Sequence, residues 1–436
     1  MCIRDSYYTA TQTTPTGTSS QTSMGRCVQP QIVFFSDDFD VSPLRLWWLG
    51  RDLALSTEQA RGGTGASIRE PAAGGFNAAD LTPTTPSSVD TPILFEFWMY
   101  DTGTSGSAAR HYGSIAQYAD RYWVPAANPV WVYEAGAISD IAKNPYDATR
   151  YQGRAVKTGV SGSTYEFNLA QSLGGSILAP TRSPGWHKFS IKHQGNSAVW
   201  YVDGRRGHKQ TAIQCGDLCA VQLGSTRGAS PDGNPAYYDE VYVAKVTDHG
   251  PTVTLVNISA VENQPLAPTH EYAADPDTPD TIALGLYSFP PLPAGLTATV
   301  NGTPVTITST PVVIYIPSST TAGPSATLTI AGTPAAGTAG TYSVTVRPTD
   351  DGGHTVLAPA NTFTLTIAER PPCQTPPQDA DGDGDVDLAD FTVFQGCFNG
   401  PNRMYKAGAP SDTCRCLDVD PDDGDVDLAD FTTFQV

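Results

Sequence analysis

The chain is poor in positive charge and has no segment that would place it in a membrane. Its 436 residues carry 25 Lys and Arg against 44 Asp and Glu, a net charge of −19. A polyanionic nucleic acid is therefore excluded as an expected partner. No apolar run approaches the ~18 residues of a membrane span. Lys is absent between Lys245 and Lys406. No long apolar run repeats every 3.6 residues, which leaves β-structure as the expected class. Catalytic signatures are missing too: the sequence has no Gly-x-Ser-x-Gly and no phosphate loop. Its nine Glu residues form no Glu-x-Asp-x-Glu set, in which carboxylates two and four apart would share one strand face. Glu96 and Asp101 differ by five, and Asp239 and Glu240 are adjacent, so on regular strands each pair points to opposite faces. His187 and His193 flank a strand with no third ligand at metal spacing and read as structural.

What is present is short apolar or alternating runs punctuated by Gly, Pro, Asn and Asp: Ile32 to Phe35, Pro92 to Tyr100, Trp131 to Tyr133, Ser163 to Leu169, Trp186 to Lys192, Ala198 to Val202 and Tyr237 to Val243. They predict a β-sandwich of about 220 residues. Asp203-Gly204 suits a type I′ hairpin. The Gly185-Trp-His strand, the Tyr201-Val-Asp-Gly204 hairpin and the closing Tyr238-Asp-Glu-Val strand resemble the laminin-G-like branch of the concanavalin A-like jelly rolls over residues 31 to 248. That resemblance implies a carbohydrate-related role. Trp98, Tyr100, Tyr112, Trp123 and Trp131 are the candidate rings for stacking on sugars. Asp38 (or Asp37) and Asp239, on the first and last strands, are a candidate second calcium site.

Beyond Gly250 the composition turns to Thr, Pro, Ala and Val, with strand-like runs at Thr252 to Ile258, Pro304 to Thr308, Val312 to Ile316, Ala326 to Ile330, Tyr342 to Val346 and Phe363 to Ile367. Leu292-Pro-Ala-Gly-Leu296 and Gly340-Thr-Tyr-Ser-Val-Thr-Val346 resemble the bacterial Ig-like or cadherin-like repeats that act as spacers, here residues 249 to 370. This segment has no Cys, so an inter-sheet disulfide is excluded.

Residues 371 to 436, opening with a Pro-rich linker at 371–378, hold 14 Asp against 3 Lys or Arg, a net charge of −11. Asp379, Asp381, Asp383, Asp387 and Asp390 stand at positions 1, 3, 5, 9 and 12 of a calcium loop, with Gly384 at 6 and Asp385 offering a carbonyl at 7. The phrase returns as Gly424-Asp425-Val-Asp427-Leu-Ala-Asp430, preceded by Asp418, Asp420, Asp422 and Asp423. Counting back from Asp430 shows one inserted residue, so Asp418, Asp420 and either Asp422 or Asp423 must converge around a bulge. A solvated acidic tail needs no Gly at position 6, no Val at position 8 and no apolar helix start after position 12. All three occur twice. Phe391, Phe394 and Phe398 define the apolar face of the following helix. Tandem loop-then-helix units behind a Pro-rich linker resemble a dockerin. That implies Ca2+ as cofactor and a cohesin-like protein or cell-surface scaffold as partner.

Four of the eight Cys fall after residue 372, and Cys215 and Cys219 suit a loop-closing disulfide. Such usage fits an exported, extracellular or cell-surface protein. The first six residues fit no signal-peptide scheme and resemble translated adapter sequence, so residues 1 to 30 are set aside. The second repeat stops at Phe434-Gln-Val436 where the first continues to Cys397, which predicts a longer gene. The expected class is mainly β: a concanavalin A-like jelly roll, an Ig-like sandwich and a small helical dockerin-type module. The expected function is calcium-anchored carbohydrate binding. A polysaccharide hydrolase or lyase with an unfamiliar site, and a purely structural surface protein, are the alternatives.

Overall fold

The structure, a computed structural model, describes residues 32–40, 52–63, 65–81, 84, 86–103, 106–117, 131–138, 147–157, 164–213, 217–225, 229–370, 373, 376, 378–380, 383–398, 400, 411–419 and 425–434. They are mainly β. The first sixteen strands in chain order are β1 (Ile32–Asp37), β2 (Ala54–Ser56), β3 (Ser67–Glu70), β4 (Gly75–Asp80), β5 (Ile93–Asp101), β6 (His111–Ala116), β7 (Trp131–Ala137), β8 (Gln152–Lys157), β9 (Thr164–Asn168), β10 (Ser172–Leu173), β11 (Ser176–Ile177), β12 (Gly185–Gln194), β13 (Ser197–Val202), β14 (Arg205–Thr211), β15 (Ala220–Ser225) and β16 (Ala236–Lys245). One sheet has the order β14-β13-β12-β5-β16-β3-β2, with β1 also on β16; the other runs β4-β15-β6-β7-β8-β9.

Alternation decides which side chains fill the space between these sheets. Phe95, Phe97 and Met99 of β5, with Phe189 and Ile191 of β12, face Ile115, Tyr133, Ala135 and Leu223 of the second sheet in one core. Phe97 and Phe189 are register partners whose rings stack at 5.3 Å. Burial of each such Phe contributes about 1.5–3 kcal/mol. Gly113 is required opposite them, since a Cβ there would lie 2.6 Å from the Phe97 ring. The β13–β14 turn holds Asp203 at φ 52° and Gly204 at φ 76°, the paired positive φ values of the expected type I′ hairpin.

Ten further strands form a second sandwich: β17 (Thr252–Thr254), β18 (Ile258–Val261), β19 (Leu266–Ala274), β20 (Thr281–Phe289), β21 (Leu296–Val300), β22 (Thr303–Val305), β23 (Val312–Pro317), β24 (Ser325–Gly332), β25 (Gly340–Thr349) and β26 (Thr362–Ala368). The sheets are β17-β19-β24-β21-β22 and β18-β26-β25-β20-β23, with the β18–β26 pair parallel. Leu284, Leu286, Val344, Val346, Leu328 and Ile330 alternate into its core. Strands β19 and β20 go beyond the runs read from sequence. Pro268 obscures β19, and it sits between Leu266 and Thr269, where the β19–β24 register shifts and a missing N–H is tolerated.

Three helices follow, α1 (Leu388–Cys397), α2 (Ser411–Leu417) and α3 (Leu428–Phe434). Helix α1 ends one residue before Phe398, which packs on Phe394 from outside the helix at a ring separation of 6.1 Å. Phe394, Cys397, Cys414, Leu417 and Val426 make a small core, closed by the disulfides Cys373–Cys416 and Cys397–Cys414. Helix α2 before the second loop was not legible; its seven residues are held by a bridge at either end of the Cys414-Arg-Cys416 step. No helix among the described residues is long and apolar enough to cross a membrane.

Candidate metal centres and ligand-facing surfaces

The two acidic loops are built alike. In the first, the Asp387 side chain caps α1 by accepting from the Ala389 amide at 2.6 Å, while Asp390 Oδ2 accepts from the Asp387 amide at 2.7 Å. Asp390 Oδ1 takes the Ala380 amide at 2.6 Å. In the second loop, Ala429 donates to Asp427 at 2.7 Å, Asp427 to Asp430 Oδ2 at 2.8 Å, and Val419 to Asp430 Oδ1 at 2.7 Å. Val419 thus stands where Ala380 does, and Asp418 matches Asp379. By this matching the extra residue falls after Val419 in sequence, among residues 420–424, which lie outside the described residues. Gly384, at φ 98°, donates to Asp379 Oδ2 at 3.1 Å, which folds the loop back on its first carboxylate.

Carboxylate oxygens of Asp385, Asp387 and Asp390 lie within 4.8 Å of one another, as do those of Asp425, Asp427 and Asp430. Asp385, expected from the sequence to offer its backbone carbonyl, thus brings its side chain to the cluster. Its carboxyl is pushed up chiefly by the charge of Asp383. Like charges held this close, with hard oxygen donors only, fit a calcium ion and not a soft transition metal. Asp381, Asp420, Asp422 and Asp423 lie outside the described residues.

At the other candidate calcium site, β1 pairs with β16 antiparallel. Asp239 is buried beside a bulge of β16. Burial pushes its carboxyl up to about 7, against the pull of Arg61 and with reinforcement from Asp40 and Asp38. The carboxylates are thus electrostatic neighbours, but among the described residues they do not form a three-ligand group. Arg61 ion-pairs with Glu240 there and lies over the Trp98 ring at 4.5 Å.

The candidate sugar-stacking rings separate. Trp98 and Tyr100 alternate outward on β5 and are half-buried, with Trp186 edge-on to Tyr100 at 5.5 Å and Tyr237 at 6.1 Å. Trp131 belongs to the core, stacked between Tyr133 and Tyr165, and Tyr112 is fully buried. The expectation that these two present faces to a glycan is corrected: alternation along β7 turns Trp131 inward with Tyr133. Trp123 and Cys215 lie outside the described residues.

Two arrangements escaped sequence reading. Across the second sheet Gln222, Ser114, Glu134, Arg154 and Glu166 fall in one row of register partners. Arg154 Nε meets Glu134 at 2.6 Å and Nη1 meets Glu166 at 3.5 Å. One guanidinium lies between two carboxylates, so the three side chains carry a formal charge of −1 and both acids are tied to the same cation. The only sequence signal was a single Glu in the apolar Trp131–Ala137 strand. Elsewhere Ser183 Oγ, His187 and Asp203 have the spacing of a nucleophile triad, at 3.2 and 2.8 Å. His187 Nε2 is closer, at 3.0 Å, to the Ser183 carbonyl, which can only accept. The Asp203 carboxylate also only accepts, so both ring nitrogens donate; against burial, Asp203 raises the pKa, and His187 clamps the hairpin as a structural histidine.

No protein-family model matches this chain, and no curated protein does. Among solved structures it is similar to a Bacillus licheniformis β-glucanase, at 16% identity over 49% of this chain and 98% of that one, TM-score 0.30. It is similar also to the catalytic domain of a Thermotoga petrophila RKU-1 endo-1,3-β-glucanase (laminarinase), at 13% identity over 50% and 98%, TM-score 0.31. A Bacteroides ovatus mixed-linkage glucan GH16 protein shows 11% identity over 48% and 99%, TM-score 0.32. Likeness at this level carries no functional argument.

Proposed function

We propose that the chain is an exported modular protein whose C-terminal repeats bind two calcium ions and form a dockerin-like attachment module, carrying a jelly roll that binds glycan and an Ig-like spacer. The observation that supports it most is the matched set of amide bonds around Asp390 and Asp430, with three carboxylates converging in each loop. A cohesin-like protein or surface scaffold is the partner class that such a module would take. Two disulfides within one small module fit an oxidising, extracellular setting. On the jelly roll, Tyr100 and Trp98 are the candidate rings left outside the core, with Arg61 lying over Trp98. Calorimetric titration of the full chain tests the calcium assignment: Asp390→Ala with Asp430→Ala should remove two bound ions. Unchanged stoichiometry would reject it.

A further inference from the structure

Where the two sandwiches meet, a buried Lys amine is pressed against two buried carboxyl groups. Alternation along β12 turns Ile191 into the first core and Lys192 outward, toward the second sandwich. Lys192 is only 3% exposed there, and its Nζ donates to Asp248 Oδ1 at 2.7 Å and to Asp280 Oδ2 at 2.9 Å. Both acids are sealed from solvent. Asp248 lies between the sandwiches, after β16, and Asp280 immediately precedes β20 of the second. Lys192 and Asp280 are 88 residues apart, so only the folded chain brings them together.

The surroundings of the two acids differ. Asp280 Oδ1 accepts from the Thr281 amide at 2.7 Å and from the Asp351 amide at 3.1 Å. Two N–H groups aimed at one carboxyl oxygen are what stabilises the oxyanion of an acyl transfer. The Asp280 backbone is fixed as well, its amide donating to Ser318 Oγ at 3.1 Å and its carbonyl accepting from the Ser318 amide at 2.9 Å. Asp248 Oδ2, by contrast, is buried with no hydrogen-bond partner among the described residues, which leaves it open to a proton. Burial pushes the Asp248 carboxyl up to about 6, against the pull of Lys192. Burial opposes the ammonium form of Lys192, but Asp280 and Asp248 outweigh it and raise the pKa. The amine therefore becomes a nucleophile only by handing its protons to these same two acids.

We propose that Lys192 Nζ and the Asp280 carboxyl condense to an amide, a covalent cross-link between the two sandwiches, with Asp248 as the proton carrier. One ammonium proton passes along the Nζ–Oδ2 hydrogen bond, which sets a neutral amine against a carboxylic acid. The nitrogen lone pair then forms the bond to Cγ, and the charge that develops on Oδ1 meets the Thr281 and Asp351 amides. Asp248 takes a second proton from the nitrogen and gives it to the Oδ2 hydroxyl; the Cγ–Oδ2 bond breaks and water leaves. Nζ enters with three hydrogens and keeps one, and the other two depart with Oδ2. Ammonium and carboxylate thus become amide and water without an oxidant, a reductant or any further reactant. The fixed juxtaposition replaces a bimolecular encounter, and the amide relieves the desolvation cost of a buried ion pair.

Mass spectrometry of the full chain, reduced and alkylated after folding, tests this. The chain should be lighter by one water than its sequence requires, and digestion should release a branched peptide that joins the segment around Lys192 to the segment around Asp280. Lys192→Arg and Asp280→Ala should each restore the full mass, since a guanidinium stays protonated and Ala offers no carboxyl. Asp248→Asn keeps both ends of the link but cannot carry a proton, and should leave the chain uncondensed; condensation as complete as the parent's overturns the role of Asp248. If the variants fail to fold, the peptide map of the parent decides. A parent of full mass, or one that has lost water at a cyclised Asp-Gly step and gives no branched peptide, overturns the cross-link.

Discussion

Asp390 and Asp430 each use both carboxylate oxygens to hold backbone amides, one from the start of the loop and one from the helix cap. A Glu would push those oxygens a methylene further out, so the shorter side chain lets one residue close the loop and cap the helix at once. At the same scale a buried imidazole predicts a pH response of the first sandwich. His111 is buried, with Nδ1 2.8 Å from Glu70 and Nε2 3.9 Å from Asp232; Tyr238 also donates to Glu70, and Arg182 to Asp232. Burial opposes the imidazolium, but Glu70 and Asp232 outweigh it and raise the pKa to about 9. A raised folded-state pKa stabilises fully below the unfolded value of ~6.5 and is lost as pH climbs through about 9. The thermal midpoint of this sandwich should therefore fall between about pH 7 and pH 9.5. His111→Gln should lower it at pH 7 and flatten that decline; an equally steep decline in the variant would refute the assignment.

At the scale of elements, legibility followed side-chain size. Strands β5, β12 and β13 read clearly because Phe, Trp, Ile and Val alternate along them. Most of the second sheet did not: Gly75-Phe-Asn-Ala-Ala-Asp80, His111-Tyr-Gly-Ser-Ile-Ala116 and Gln152-Gly-Arg-Ala-Val-Lys157 are small, polar and Gly-bearing. Their small residues leave room for large rings from the first sheet. Gly113→Ala should cost about 1–3 kcal/mol by driving a methyl into Phe97, measured by denaturant unfolding. An unchanged midpoint would mean that the two sheets pack less tightly there. The acidic loops were legible for the opposite reason, since their Asp spacing is local and repeated. The buried pairing of Lys192 with Asp280 was not, because the two are distant in sequence and only the fold brings them together. On β5, Trp98→Ala with Tyr100→Ala should abolish retention on a polysaccharide column while leaving stability nearly unchanged, because both rings point away from the core. Retention equal to the parent's would remove this face as the glycan site.

For the whole molecule, three cores of different kinds are joined in series. The two sandwiches have apolar interiors large enough to fold on burial, whereas the C-terminal module has a handful of buried apolar side chains, two disulfides and clustered Asp. Apolar burial at ~25 cal/mol per Å² over so few side chains does not offset chain entropy plus carboxylate repulsion. On the proposed function, metal binding adds the folding free energy that this small core and its two disulfides leave wanting. Hydrogen exchange on the full chain, followed for peptides spanning 383–398 and 425–434 with chelator and with ~1 mM calcium, tests this most directly. The account predicts that the amides of α1 and α3 are protected only with calcium, and that Asp390→Ala removes the protection of α1. Protection that is the same with and without calcium would contradict it.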